Sequence, residues 1–172
     1  ENLEAVWGAK VYSTYASSET ITSFCECTAQ QGGHLHPDLA IVEIVNDRGE
    51  ALPGGEEGEV VVTPLNIEGM PLLRFRTGDV SFMIDAPCDC GRRSLRLGPI
   101  LGRKKQMIKF RGTTLYPNSI YTVLDSFPGI SEYSVTATSN YDLSDVITVQ
   151  VAVNDASCSA AMIMDKLQAH LR

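Results

Sequence analysis

At Gly102 the patterning of this sequence changes, and that change limits what the chain can fold into more than any other feature. Before it, apolar and β-branched runs alternate with Gly, Pro, Asn and Asp. Ile21–Phe24, Ala40–Val45 and Gly58–Thr63 read as strands, with a Gly32-Gly33 turn and a hairpin-type turn at Asn46-Asp47-Arg48-Gly49. Leu72–Phe75 and Val80–Ile84 add short strands on either side of a Thr77-Gly78-Asp79 turn, and Val6–Tyr15 reads as the end of one element entering a strand. After Gly102 the helical period appears. Met107–Arg111 is a strand, Pro117 occupies a helix's first turn, and Ile120, Val123 and Leu124 follow at i, i+3 and i+4, with Gly129 closing that helix. Tyr133–Ser139 and Val146–Val153 read as strands, and Ala160–Leu171 as a helix with Ile163, Leu167 and Leu171 on one face.

The expected class is therefore α+β in two parts: a small β-barrel-like subdomain over residues 1–101 and a ferredoxin-like α+β domain over residues 102–172. No internal repeat is evident. A hydrophobic share of 44% in 172 residues is enough to bury a core in one domain or two small ones.

Around the change the chain is basic. The segment from Arg74 to Gly112 gathers Arg76, Arg92, Arg93, Arg96, Arg103, Lys104, Lys105, Lys109 and Arg111, most of the 14 basic residues of a chain whose net charge is -7. Such a run serves as a solvated face or, because Gly78, Gly91, Gly98, Gly102 and Gly112 divide it into turns, aims cations at an anion. The acidic balance argues against general affinity for nucleic acid or anionic membrane, and no apolar run is long enough to span a bilayer. Five cysteines without a secretory leader point to a reducing compartment, so the expected location is cytoplasmic. The chain opens on Glu1 without an initiator Met, which suggests a piece of a longer protein.

Two sets of residues can carry chemistry. Glu19 follows a strand end and the small residues Ala16, Ser17 and Ser18; it can hold a hard cation such as Mg²⁺ or serve as a first-turn helix acid. Cys27 and His34 form one pair, and Cys88-Asp89-Cys90-Gly91 supplies another. Two such pairs on separate turns can close a tetrahedral S₃N site, which suits zinc; the other reading is free cysteines packed in a core. Pro87, Asp89 and Arg92 make a polar setting for core residues. Cys25 and His36 are spare ligand candidates, and Cys158 at the start of the last helix reads as structural. No base is fixed beside any cysteine, which argues against a nucleophilic role.

Four motifs, in order, resemble the adenylate-forming acyl- and aryl-CoA ligases, and within them the phenylacetate-CoA ligases. Tyr15-Ala16-Ser17-Ser18-Glu19 resembles their Tyr-Gly-x-Thr-Glu, and Phe75-Arg76-Thr77-Gly78-Asp79 their Tyr-Arg-Thr-Gly-Asp. Gly102–Gly112 resembles Gly-Arg-x-Asp/Lys-x-x-Ile-Lys-x-x-Gly, and Leu115-Tyr116-Pro117 the apolar-x-Pro before a helix. The resemblance implies that Tyr15 stacks on adenine, Glu19 holds Mg²⁺, Ser18 keeps a hydroxyl at the phosphate-side turn, and Asp79 accepts both ribose hydroxyls. It places Arg103 on the ribose and phosphate side. Lys105 falls at the hinge about which a small C-terminal domain swings between adenylating and thioester-forming arrangements. Lys109 lies on the strand presented to the acyl-adenylate, with Gly112 at the pantetheine tunnel of coenzyme A. The phenylacetate-ligase branch also has a Glu-Cys…Gly-x-His and a Cys-x-Cys-Gly, which supports structural zinc on Cys27, His34, Cys88 and Cys90. Ala16 departs from the family's Gly and Ser18 from its Thr, and Asn118–Tyr121 lacks the acid usual after that Pro.

The family's Gly/Ser/Thr-rich phosphate loop does not occur in these 172 residues, nor does its terminal Gly-Lys. The resemblance thus implies the C-terminal part of a large AMP-binding domain followed by a small mobile domain. The expected whole protein converts an aryl acid, ATP and CoA to aryl-CoA, AMP and pyrophosphate, as phenylacetate ligases do, with this chain inactive alone. Expected partners are the small molecules and the upstream part of the same polypeptide, with no nucleic acid or membrane, and with room for a homodimer. Two other readings stand beside it: a zinc-bearing, non-catalytic nucleotide- or partner-binding module, and adenylation with transfer to a carrier protein.

Overall fold

Short strands and tight turns build the first half of the computed structural model, which describes residues 2–110, 113–138, 145–154 and 159–170; of these, the side chains of Asn2, Ile21 and Thr22 are not described. The chain divides into two units, Glu1–Ile100 and Leu101–Arg172. In the first, helix α1 (Asn2–Trp7) precedes strands β1 (Thr14–Ser17), β2 (Ile21–Glu26), β3 (Gly33–Leu35), β4 (Ala40–Val45), β5 (Gly58–Pro64), β6 (Phe75–Ser81), β7 (Met83–Ile84) and β8 (Arg96–Leu97). One antiparallel sheet has the order β1-β2-β3-β8-β7, and β4, β5 and β6 lie side by side in another.

Strand β5 is paired on both sides, and its Val60-Val61-Val62 run is buried throughout, as a central strand requires. Phe24 and Leu97 from the first sheet meet Ala40, Ile44, Val60 and Val62 from the second in a single apolar cluster. The predicted barrel does not close. Strands β1 and β7 are the unpaired edges of the first sheet, and β7, two residues long before Asp85-Ala86-Pro87, offers few backbone groups for a closing ladder, so two open sheets share the core instead.

The Thr77-Gly78-Asp79 stretch also differs from expectation. It does not turn between two strands but lies inside β6 as an irregularity. Val80 pairs with Glu59 and Arg76 with Val61, so three residues on β6 face only Val60 on β5. Gly78 takes φ +79, which a side chain would resist, and the Thr77 hydroxyl donates to the Val60 carbonyl at 2.9 Å. The bulge pushes Asp79 out of the ladder.

The second unit contains β9 (Gly102–Arg103), a 3₁₀ turn at Lys104–Gln106, β10 (Ile108–Phe110), β11 (Thr113–Leu115), α2 (Pro117–Asp125), β12 (Ile130–Thr138), β13 (Val146–Val153) and α3 (Ala160–His170). Strands β10 and β11 form one antiparallel hairpin and β12 and β13 another. The backbone N–H of Lys109 donates to Asp145 Oδ2 at 2.7 Å and that of Asp145 to the Lys109 carbonyl at 2.6 Å, tying the hairpins together. Helix α2 begins at Pro117 as expected, but it ends at Asp125, before Gly129. Pro128 disfavours helical backbone at Phe127, and the Ser126 N–H closes the last turn on Val123 and Leu124 carbonyls. Ile120, Val123, Leu124, Ile163 and Leu167 fill the core, with Tyr133, Val135, Ile147, Val149 and Val151 packed against it from alternate strand positions. Arg111, Gly112, Ser139, Cys158 and Leu171 lie outside the described residues. Among the described residues, no helix is long and apolar enough to cross a membrane.

Candidate functional site

Strand β1 carries the first motif. Tyr15 is half-buried, and its ring tilts against Phe24 with centroids 6.3 Å apart. Its hydroxyl donates to Asp79 Oδ2 at 2.9 Å, bridging 64 positions of sequence. The Thr77 hydroxyl, besides donating to β5, accepts from the Asp79 backbone N–H at 3.1 Å and so orients the bulge that presents the carboxylate. One motif residue on a strand and one on a bulge are thereby joined. Ser18 and Glu19 are exposed at the tip of the β1–β2 hairpin, which Ser17 Oγ and Thr20 Oγ1 close at 2.8 Å.

In the second unit, Arg103 is exposed on β9 and leads into the 3₁₀ turn that contains Lys105, also exposed. Lys109 is exposed on β10, its backbone fixed by Asp145. Gly112 lies outside the described residues.

Where β2 ends, beside β3 and the β7–β8 connection, the cysteine and histidine set converges. The ligand atoms of Cys27, His34, Cys88 and Cys90 all lie within 4.8 Å of one another. Cys27 Sγ is 3.6 Å from Cys88 Sγ, and Cys90 Sγ is 3.3 Å from His34 Nε2. Metal–sulfur bonds of about 2.3 Å and metal–nitrogen bonds of about 2.0 Å at tetrahedral angles require separations of about 3.8 Å for S···S and about 3.5 Å for S···N. The four side chains fit such a site. Cys25 and His36 are not in the cluster.

The surroundings favour metal-ligand states. Ser94 Oγ lies 3.0 Å from His34 Nδ1, which leaves Nε2 pointed at Cys90. Burial, then the charges of Arg92 and Arg96, lower the His34 pKa, so the imidazole is neutral at pH 7. The backbone N–H of Ala29 leads the causes that lower the Cys27 thiol, against the opposing effect of burial. At Cys88 the backbone N–H of Cys90 pulls downward, but burial, its thiol neighbours and the charge of Cys27 together push it up.

Sequence reasoning missed two residues here, Ser94 and Arg96. Arg96 is buried, and its guanidinium donates to the carbonyls of Gln31, Ala86 and Pro87. A serine and an arginine in a basic, Gly-punctuated run carry no spacing signal. Only the pairing of Arg96 with His34 across β3 and β8 reveals them.

No family model matches the chain. The phenylacetate-coenzyme A ligase of Thermus thermophilus is 42% identical over 127 residues, which cover 72% of this chain and 28% of that protein. That of Aromatoleum evansii is 30% identical over 156 residues, covering 88% of this chain and 35% of that protein. The chain therefore spans between 28% and 35% of the length of these two relatives. Among solved structures, 2-hydroxyisobutyryl-CoA ligase in its postadenylation state superposes with TM-score 0.83 at 24% identity over 99% of this chain and 39% of that one. The o-succinylbenzoate CoA synthetase of Bacillus subtilis, in complex with its acyl-adenylate intermediate, gives 0.69 at 19% identity over 99% and 37%. In sequence the chain matches a C-terminal portion of the phenylacetate-coenzyme A ligases, and in fold it belongs with the adenylate-forming CoA ligases.

Proposed function

We propose that this chain is the nucleotide-facing C-terminal part of an ATP-dependent, AMP-forming aryl-CoA ligase acting on phenylacetate or a close arylacetate. The observation that carries the reading is the 2.9 Å hydrogen bond from Tyr15 to Asp79. It unites two motif residues in the first unit, where an adenosine needs an aromatic face beside a carboxylate with two acceptor oxygens.

In the whole protein the acid's carboxylate attacks the α-phosphorus of ATP, giving acyl-adenylate and pyrophosphate. The thiolate of CoA then attacks the acyl carbon and releases AMP. Tyr15 and Asp79 hold the adenosine through both steps, and Ser18 supplies a hydroxyl to the phosphate-side turn. Glu19 would hold Mg²⁺, which when bound would offset phosphate charge. Arg103 attends the ribose and phosphate, Lys109 and Gly112 belong to the thioester-forming step, and Lys105 is the hinge. A single 3₁₀ turn at Lys104–Gln106 suits that last role, since short 3₁₀ segments often mark hinges. The second unit, read as ferredoxin-like, is the mobile domain. With no phosphate loop in its sequence, the isolated chain does not turn over.

The Cys27–His34–Cys88–Cys90 centre takes a structural zinc in this reading. It joins β2, β3 and the β7–β8 connection, and so stiffens the sheet whose edge strand bears Tyr15. A metal-bearing module without catalysis is the competing reading, favoured by the same cluster. Phenylacetate-dependent ATP–pyrophosphate exchange in the full-length protein separates them: we expect exchange in the wild type and a loss of at least about 100-fold in Asp79→Ala. No exchange in the wild type refutes the ligase reading. Comparing CoA with a carrier protein as acceptor then decides between thioester products.

A further inference from the structure

We propose that Arg96 is the positioning residue and the counter-charge of the Cys27–His34–Cys88–Cys90 centre; the inference rests on the metal reading above. Arg96 is 3% exposed, and a buried arginine is ordinarily paired with a carboxylate. None of the described residues supplies one. Its partners are three carbonyls, and its Nε is buried without any hydrogen-bond acceptor. Neutral carbonyls satisfy donors but do not cancel a charge.

The missing anion is next door. Arg96 lies directly opposite His34 on β3 and opposite Ile84 on β7, so its backbone sits between the two ligand-bearing loops. A divalent metal held by three thiolates and one neutral imidazole carries one net negative charge. Arg92, whose charge also reaches His34, is exposed and screened by water, so the buried guanidinium of Arg96 is the one that needs this charge as its balance. Without metal, neutral thiols would leave Arg96 as an uncompensated buried cation. Its charge is therefore accounted for only when the centre is loaded.

The three carbonyls add geometry to charge. Gln31 leads through Gly32 and Gly33 into His34, while Ala86 and Pro87 lead directly into Cys88. One Nη holds the first loop and the other Nη the second, at 2.9 Å to Ala86 and 3.3 Å to Pro87. A rigid fork can strap both loops at once. A lysine ammonium at the end of a flexible stem keeps the charge but not the strap.

The test compares wild type, Arg96→Lys and Arg96→Met in the 172-residue chain. Zinc affinity is measured by competition with a chromophoric chelator, and urea stability is measured both zinc-loaded and with zinc removed. The cobalt-substituted forms report the number of thiolates through their charge-transfer band. We expect zinc affinity to fall about 10- to 100-fold, more for Met than for Lys. The cobalt band should keep its shape once saturated, and the zinc-loaded form should lose more stability than the zinc-free form. Affinities within twofold of wild type in both variants overturn the proposal. So does an equal loss of stability in both forms, which would make Arg96 a fold residue only. If Arg96→Met does not fold, Arg96→Lys alone decides by the same criteria. A wild-type chain that binds neither zinc nor cobalt overturns the metal reading and the inference with it, whereas metal bound with unchanged affinity in the variants overturns the inference alone.

Discussion

Gly32→Ala should be the most damaging methyl group that can be added near the metal ligands. Gly32 has φ +89, and left-handed backbone costs an L-residue about 1–2 kcal/mol. The new Cβ would also stand 2.6 Å from the Leu97 carbonyl oxygen and 3.0 Å from Ile84 Cδ1. That oxygen is backbone in a strand paired with β3, so it cannot rotate away; overpacking of this kind costs about 1–3 kcal/mol more. The sum is about 2–5 kcal/mol, or a urea midpoint lower by about 1–2 M. Gly49 provides the control. It has φ +82, but a methyl group added there would meet nothing within 4 Å, so Gly49→Ala carries the backbone cost alone. Separation of β3 from β8 would also carry His34 from its partners and the Gln31 carbonyl from Arg96. Urea titrations of both variants, followed by circular dichroism and by the reaction rate of the buried Cys27 and Cys88 thiols, measure the difference. Equal costs at the two glycines, with zinc affinity unchanged in Gly32→Ala, would refute the reasoning.

Three further outcomes are expected. Ile120→Ala, at a fully buried position between α2 and the strands, should cost about 2–5 kcal/mol by urea unfolding of the second unit. Glu59→Gln should cost about 1 kcal/mol, because buried Glu59 receives two hydrogen bonds from Arg76 whose side chain is 44% exposed and partly screened; the gap from wild type should narrow in high salt. The His34 pKa lies below its ordinary 6.5, so its contribution to stability is full above that value and is lost as pH falls through the lowered folded value. The urea midpoint of the zinc-free chain should therefore drop on acidification from pH 7 to pH 5, and His34→Asn should remove that part of the slope.

Local rules carried much of this fold. Ala40–Val45 and the Val60–Val62 run have the β-branched content of buried strands, and Pro117 with Ile120, Val123 and Leu124 marks a helix start and its inward face. The Cys27, His34, Cys88 and Cys90 set was also legible, because so few side chains bind soft metals that four in two pairs stand out. What the sequence hid is non-local. The bulge at Thr77-Gly78-Asp79 exists only against Val60, and barrel closure depends on whether the edge strands β1 and β7 pair, which pattern alone does not give. Ser94 and Arg96 become recognisable only once β8 lies beside β3. The Tyr15–Asp79 contact likewise needs the folded sheets to bring its ends together.

The most direct test of the ligase account is a product balance on the full-length protein supplied with phenylacetate, ATP and CoA. The account predicts equal amounts of phenylacetyl-CoA, AMP and pyrophosphate, with all three lost together in Asp79→Ala. Formation of ADP and phosphate, or an unchanged product yield in Asp79→Ala, would contradict it.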